Sequence, residues 1–352
     1  MRRIALALLL ATVGGAVALV AVVVVLGTPD APPPGDVPGH ATATLEVAHR
    51  GTPVPVSIWY PAEPSAPPEW IGRNALFLGH AVRPGARPRP GPAPVALLSH
   101  GSGGTGERMG WLAAGLARAG WIVVAPDHPG TRSRDSRPDA TVRVWERTED
   151  MTALLDALPD LLPDGLEPDG RIAAVGFSLG GHTALALGGA RLSKAAFQAD
   201  CAARDDYDCG WLARGGVDLS EIEAARYESD LSDARVDAVV AIDPALAAAM
   251  TPESLRDVDL PVLLLSMGDP PPAALRADGL AEALPDATPK RMPGASHFAM
   301  LAECSALGRL LIGLAARPDE DICTADATPR ARTQDRTLGA TLAFLEERMP
   351  PR

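Results

Sequence analysis

The stretch Gly176-Phe177-Ser178-Leu179-Gly180-Gly181 decides the fold, because it joins a short apolar run to an alanine-rich segment. The run before it, residues 172–176, predicts a buried strand, and the segment after it, residues 182–189, predicts a helix. A serine on the sharp turn between a strand and a helix projects its hydroxyl from the sheet, and the flanking glycines let the two elements approach without a clash. The stretch therefore predicts a nucleophile elbow with Ser178 as the nucleophile.

Short apolar runs alternate with helical segments along the rest of the chain, which is typical of a mostly parallel sheet with helices on both faces. Strands buried on both faces are predicted at 95–99, 121–125, 172–176, 236–242 and 262–266. An opening hairpin is predicted at 42–47 and 54–60, and a short last strand at 289–292. Helices are predicted at 109–119, 147–158, 182–189, 275–284 and 336–349. The fold class is therefore α/β.

Length and charge limit the number of domains and the kinds of partner. A chain of 352 residues with 47% hydrophobic residues can bury one large core. A formal net charge of −12 argues against a nucleic-acid partner, because phosphate binding requires clustered Lys and Arg. We therefore expect one domain over residues 41–352 that acts on a small molecule.

The first 27 residues are expected to lie outside this domain. Arg2 and Arg3 precede an uncharged apolar run from Ile4 to Leu26, which is long enough to span a bilayer. No convincing cleavage site follows the run, so an uncleaved membrane anchor is favoured over a cleaved signal peptide, and the domain is expected on the exported side. Residues 28–40 are rich in proline and predict a stiff linker between membrane and domain.

Export changes the interpretation of the four cysteines, because it places them in an oxidising compartment. The simplest of three possible pairings joins Cys201 to Cys209 and Cys304 to Cys323. Neither a C-x-x-C motif nor a histidine cluster is present, so no metal or cofactor is expected.

A glycine-rich turn, His100-Gly101-Ser102-Gly103-Gly104, follows the predicted strand at 95–99. Backbone N–H groups at such a turn can stabilise the negative oxygen of a tetrahedral intermediate. We expect an oxyanion hole in which Leu179 supplies one N–H group and Ser102 or Gly103 supplies the other.

The general base is identified by chain order. In the fold that carries a nucleophile elbow, the nucleophile precedes the acid and the acid precedes the histidine. Only His182 and His297 follow Ser178. His182 lies within the helix after the elbow, which leaves no room for an intervening acid. His297 lies in a loop after the predicted last strand and is therefore the expected base.

These motifs together resemble one family, the bacterial predicted dienelactone hydrolases of the α/β-hydrolase superfamily, and their relatives the platelet-activating-factor acetylhydrolases and cutinase-like polyesterases. The resemblance extends from Trp59 to Cys323. It rests on the elbow, the glycine-rich turn and four further stretches: Ile58-Trp59-Tyr60-Pro61, Pro126-Asp127-His128-Pro129-Gly130, Ala241-Ile242-Asp243-Pro244 and Pro293-Gly294-Ala295-Ser296-His297-Phe298. It implies an α/β-hydrolase fold and ester hydrolysis. The nucleophile is a serine here, whereas dienelactone hydrolases use a cysteine, so their substrate is not carried over.

Two aspartates are candidates for the acid that orients His297. Asp269 follows the strand at 262–266, the commoner position for this residue in the fold. Asp243 ends the preceding strand, and the resemblance to the platelet-activating-factor acetylhydrolases implies the acid at this position. Asp243 is favoured, with Asp269 as the alternative.

The connection between the elbow helix and the next strand, residues 191–235, is far longer than usual. It is either a lid that shapes the substrate pocket or a surface embellishment. The expected activity is hydrolysis of carboxylic esters through an acyl-enzyme. A peptidase or thioesterase on the same residues, and a catalytically silent binding domain, are the alternatives.

Overall fold

The computed structural model describes residues 35–269, 271–272, 275–315, 322–323 and 329–351. The predicted anchor and most of the predicted linker lie outside these residues. Among the residues that are described, no helix is both long and apolar enough to cross a membrane. The first strand begins at Gly39, so the last two residues assigned to the linker belong to the domain.

Ten strands form one mixed sheet in the described part of the chain, in the order β10-β9-β8-β7-β5-β6-β2-β1-β4-β3. Strands β5 to β10 pair in parallel, whereas β2 runs antiparallel to both β1 and β6. The predicted α/β class with a mostly parallel sheet is therefore confirmed. The bounds are β1 Gly39–Leu45, β2 Val54–Tyr60, β3 Glu69–Ile71, β4 His80–Pro84, β5 Pro92–Ser99, β6 Ile122–Pro126, β7 Glu167–Phe177, β8 Ala238–Ile242, β9 Val262–Met267 and β10 Ala287–Met292.

Helices connect the successive parallel strands, as crossover connections between parallel strands require. Their bounds are α1 Gly110–Arg118, α2 Pro138–Thr141, α3 Trp145–Asp156, α4 Leu158–Leu161, α5 Leu179–Leu187, α6 Lys194–Ala203, α7 Tyr207–Arg214, α8 Ala224–Tyr227, α9 Pro252–Arg256, α10 Asp278–Ala283, α11 Ala306–Ala315 and α12 Arg330–Arg348. Short 3-10 helices lie at Gly106–Met109, Leu219–Glu221, Ala247–Ala249 and His297–Met300.

The central strands are buried on both faces, and alternate residues belong to two separate cores. Val95 and Leu97 of β5 pack in one core, and Ala96 and Leu98 pack in the other. This explains why these strands are continuous apolar runs rather than alternating ones. The two cores hold the carboxyl ends of the parallel strands at one edge of the sheet, where Ser178 follows β7 and Asp243 follows β8.

Four elements illustrate where the structure differs from the sequence prediction. Strands β3 and β4 were not predicted, because they are short and their side chains lack an apolar pattern. Helix α10 begins at Asp278 rather than at residue 275. Helix α12 begins at Arg330 rather than at residue 336. Its first turns were not predicted because they bury Arg330, Thr333 and Gln334 instead of apolar side chains.

Both predicted disulfides form. Cys201 on α6 is bonded to Cys209 on α7, and Cys304 is bonded to Cys323. The first bond joins the two main helices of the insertion at 191–235 and therefore restricts their relative movement.

Candidate active site

Ser178 lies at the sharp turn between β7 and α5, with φ 55° and ψ −119°. Such a backbone is strained for a residue with a side chain and persists only where the surrounding structure fixes it. A Cβ atom on Gly176 would lie 1.9 Å from the carbonyl oxygen of Gly180, and one on Gly180 would lie 1.9 Å from that of Ser99. Both glycines are therefore required for the turn, as the elbow predicts.

The turn presents the Ser178 hydroxyl to His297, with 3.0 Å between Oγ and Nε2. The other ring nitrogen, Nδ1, lies 2.7 Å from Oδ2 of Asp243. A carboxylate can only accept, so Nδ1 carries the proton and Nε2 is free to accept the serine proton. The second carboxylate oxygen of Asp243 accepts the backbone N–H of Met267 at 3.0 Å. Asp243 is fully buried and its orientation is therefore fixed from both sides.

The structure brings Asp243 to His297 and leaves Asp269 elsewhere. The Asp269 side chain is 60% exposed and faces Arg291 at 3.5 Å. Asp269 follows the end of β9 by two residues and lies at the surface. The arrangement at His297 therefore agrees with the favoured acid and not with its alternative.

Of the three N–H groups expected at the oxyanion hole, two are free to bind a substrate oxygen and one is already hydrogen-bonded. Those of Leu179, the first residue of α5, and Ser102 donate to no acceptor among the described residues. The N–H of Gly103 donates to the carbonyl oxygen of Thr131 at 2.7 Å, which corrects the expectation that it could serve. Ser102 lies beside Ser178 in the same cavity, so the pair available to a substrate oxygen is Leu179 and Ser102.

The glycine-rich turn is held by a buried polar network that the sequence did not predict. His100 Nδ1 donates to the Gly101 carbonyl at 2.7 Å, and His100 Nε2 accepts the backbone N–H of His128 at 3.1 Å. His128 Nδ1 in turn donates to Asp150 at 2.8 Å. Burial lowers the pKa of His128 to about 3, so it remains neutral. These residues fix the position of the turn next to Ser178.

His182, the other histidine after the elbow, is buried within α5. Burial lowers its pKa to about 3, and its Nδ1 atom has no hydrogen-bond partner among the described residues. Its backbone N–H donates to the Ser178 carbonyl at 3.1 Å, but its ring makes no hydrogen bond to the Ser178 hydroxyl among the described residues.

A cavity of about 180 Å³ opens at Ser178 and His297. The insertion at 191–235 contributes Tyr207, Asp208 and Trp211 to its wall. The Tyr207 ring stands edge-on to the His297 ring, with 5.8 Å between centroids. The insertion therefore forms part of the cavity wall next to His297.

A group of possible metal ligands in the described residues consists of Asp200, Cys201 and Cys209. Both cysteines are joined in a disulfide, so they offer no thiolate to a metal. The donor set does not fit a metal ion.

The comparisons with known proteins agree with this architecture. A model of the "Alpha/beta hydrolase family" matches residues 95–307. A ferulic acid esterase from Streptomyces cinnamoneus is 22% identical with a TM-score of 0.61, over 92% of this chain and 93% of its own. A puromycin-hydrolyzing peptidase from Mycobacterium tuberculosis is 19% identical with a TM-score of 0.53, over 89% of this chain and 40% of its own. A dienelactone hydrolase from Anabaena variabilis is 19% identical with a TM-score of 0.43, over 79% of this chain and 95% of its own.

No curated protein sequence matches the chain significantly. At the identities found among solved structures, the likeness concerns the fold. The family model covers more than half of the chain, including the elbow and the loop that carries His297. The chain belongs to the alpha/beta hydrolase family.

Proposed function

We propose that this protein hydrolyses carboxylic esters through an acyl-enzyme on Ser178. The observation that carries the proposal is the continuous hydrogen-bonded chain from Ser178 through His297 to Asp243, of which Ser178 and His297 line a cavity. Each residue has the partner that its role requires, namely a nucleophile next to a base and a base next to an orienting acid. The family supports hydrolase activity, and these contacts support the serine mechanism.

In the first half of the reaction, Ser178 Oγ attacks the ester carbonyl while His297 Nε2 takes the hydroxyl proton. The positive charge that develops on the ring is stabilised by the buried Asp243 carboxylate, 2.7 Å from Nδ1. The negative charge on the carbonyl oxygen is stabilised by the free N–H groups of Leu179 and Ser102. The intermediate then collapses, His297 donates its proton to the leaving alkoxide, and the alcohol departs.

In the second half, water attacks the acyl-enzyme while His297 again acts as the base. The same two N–H groups stabilise the second tetrahedral intermediate. Collapse returns the proton to Ser178 and releases the carboxylic acid.

The cavity supports a compact acyl group. Its volume of about 180 Å³ is below the 300–1,000 Å³ usual for sites that enclose drug-sized ligands. Tyr207 and Trp211 close one side of it, which restricts the space for an extended peptide. We therefore expect short acyl esters to be the best substrates.

A fluorophosphonate probe tests the mechanism, because it reacts with an activated serine. The folded protein is expected to form one adduct, and Ser178→Ala is expected to lose both the adduct and p-nitrophenyl acetate hydrolysis. Ser232→Ala is the matched control, because Ser232 is an exposed serine outside the cavity and its loss is expected to change neither result. An unmodified Ser178 on folded protein would overturn the enzyme assignment in favour of a silent binding domain.

A further inference from the structure

Arg147 is a fully buried arginine on α3 that the proposed reaction does not use directly. Its side chain is 1% exposed, and no carboxylate among the described residues forms an ion pair with it. A buried guanidinium without a paired carboxylate is expensive and requires hydrogen bonds on its N–H groups. Burial lowers its pKa to about 9, which leaves it charged at neutral pH.

The guanidinium donates to groups on three elements that surround Ser178. Nη2 donates to the His100 carbonyl and, at 3.1 Å, to Ser99 Oγ at the end of β5. Nη1 donates to Thr131 Oγ1 in the loop after β6. Nε lies 3.4 Å from Thr183 Oγ1 on α5. One planar side chain therefore joins the glycine-rich turn, the neighbouring loop and the elbow helix.

Two of these contacts bracket the Ser102 N–H group. The turn is anchored before Ser102 by the bond from Arg147 to the His100 carbonyl. It is anchored after Ser102 by the bond from Gly103 to the Thr131 carbonyl, and Arg147 also holds the side chain of Thr131. The turn is therefore held on both sides of Ser102 by contacts that lead to Arg147, and the Gly101 carbonyl in the same peptide unit as the Ser102 N–H accepts from His100 Nδ1 and from the Gly104 N–H.

The third contact leads to the other donor. Thr183 Oγ1, which accepts from Arg147, donates its own proton to the Leu179 carbonyl at 3.0 Å. This bond stiffens the first turn of α5, whose first residue carries the second free N–H group. A guanidinium fork can make these contacts at once, whereas the single ammonium of a lysine cannot.

We propose that Arg147 is a positioning residue that holds the N–H groups of Ser102 and Leu179 in the spacing needed for the oxyanion. This inference rests on the proposed function, because it assigns those two groups to the tetrahedral intermediate. The loss of one oxyanion donor typically lowers kcat by about 10²–10³. The effect is confined to the transition state, because the ground-state ester needs no such spacing.

The test compares Arg147→Met and Arg147→Lys with wild type on p-nitrophenyl acetate. Arg147→Met is expected to lower kcat about 100-fold with KM changed less than about threefold. It is also expected to weaken a trifluoromethyl ketone inhibitor in proportion to kcat, because the ketone adduct carries the same oxyanion. Arg147→Lys keeps the charge and loses the fork, and about a tenfold loss of kcat is expected. Thr131→Val removes one hydrogen-bond acceptor of the Arg147 guanidinium. It replaces Arg147→Met in the test if that variant does not fold.

Arg171→Met is the matched control, because it also removes a largely buried arginine side chain. Arg171 lies in β7, seven residues before Ser178, and donates to Asp169 and to the Met349 carbonyl. It is expected to lower the melting temperature without lowering kcat. The inference is overturned where the Arg147 variants keep wild-type kcat and inhibitor affinity, where only KM rises, or where Arg171→Met loses as much kcat. Fluorophosphonate labelling of wild type distinguishes failure of the proposed function from failure of the positioning role. If Ser178 forms no adduct, the proposed function is refuted. If Ser178 forms the adduct but the Arg147 variants are unaffected, only the positioning role is refuted.

Discussion

Replacing Asp243 with asparagine is expected to lower kcat by about four orders of magnitude and to leave the fold intact. The carboxylate accepts the proton-bearing Nδ1 of His297 at 2.7 Å, and an amide NH₂ facing this atom would favour the opposite tautomer. With the proton on Nε2, the ring cannot accept the proton of Ser178. The measurement is kcat on p-nitrophenyl acetate, with circular dichroism to verify folding.

Asp269→Asn provides the matched comparison, because it makes the same chemical change on an exposed side chain. We expect its kcat to stay close to wild type. Near-wild-type turnover in Asp243→Asn together with a large loss in Asp269→Asn would contradict the arrangement and return the role to Asp269.

A second prediction concerns the pKa of the Asp127 carboxyl, just after β6. Burial, assisted by the nearby Glu107 charge, raises its pKa to about 6, although its Oδ1 accepts the Gly106 N–H at 2.8 Å. The unfolded chain releases this proton near pH 4. As the pH rises from about 4 to 6, the folded state still holds a proton that the unfolded state has lost, so this group's contribution to stability falls.

Above pH 6 the full cost of burying the charge is present. Asp127→Asn keeps the acceptor oxygen and has no charge to bury. Its melting temperature is therefore expected to exceed wild type by a few degrees at pH 7.5, with the difference vanishing below about pH 4. Calorimetry at both pH values measures this, and an equal difference at both would contradict the raised pKa.

The sequence predicts some residues of the candidate site and not others, for a physical reason. Ser178 and His297 were found because the elbow and the chain order constrain them locally. The choice between Asp243 and Asp269 depends on which strand end faces His297, and that is a property of the assembled sheet. Arg147 gave no signal, since an arginine on a helix is usually solvated and only the packing of α3 shows that it is buried.

At the scale of elements, the buried strands were predicted well because two-sided burial leaves an unmistakable apolar run. Strands β3 and β4 and the start of α12 were missed because they bury polar side chains or lie at an edge of the sheet. The insertion at 191–235 was recognised by its length, but helix α7, which brings Tyr207 and Trp211 to the cavity, could not be assigned from its irregular pattern.

The insertion leads to a prediction about acyl length. Trp211 on α7 lines the cavity and donates from its indole to Thr141 Oγ1 at 3.2 Å, which holds it across one side. Trp211→Ala removes this wall, so activity on p-nitrophenyl octanoate relative to acetate is expected to rise about tenfold. Arg214→Ala, an exposed position on the same helix, is the control and should keep the wild-type ratio. An unchanged ratio in Trp211→Ala would mean that α7 does not limit the acyl pocket.

The whole molecule combines this domain with a first segment that lies outside the described residues. Its apolar run from Ile4 to Leu26 follows Arg2 and Arg3, which are expected to remain cytoplasmic. The two disulfides fit export, because bonds of this kind persist in oxidising compartments. We therefore propose that the domain works outside the cytoplasm, attached to the membrane by residues 1–27.

This proposal predicts that the full chain sediments with membranes and resists extraction at alkaline pH. The double variant Val17→Arg and Leu19→Arg puts two charges at the centre of the run, each costing about 2.5–3.5 kcal/mol in a bilayer, and is expected to abolish insertion. Asp30→Arg is the control, because it changes charge in the predicted linker and should leave the protein in the membrane fraction. Wild-type protein found in the soluble fraction would refute attachment, and a mature form lacking residues 1–27 would show that the segment is a cleaved signal peptide instead.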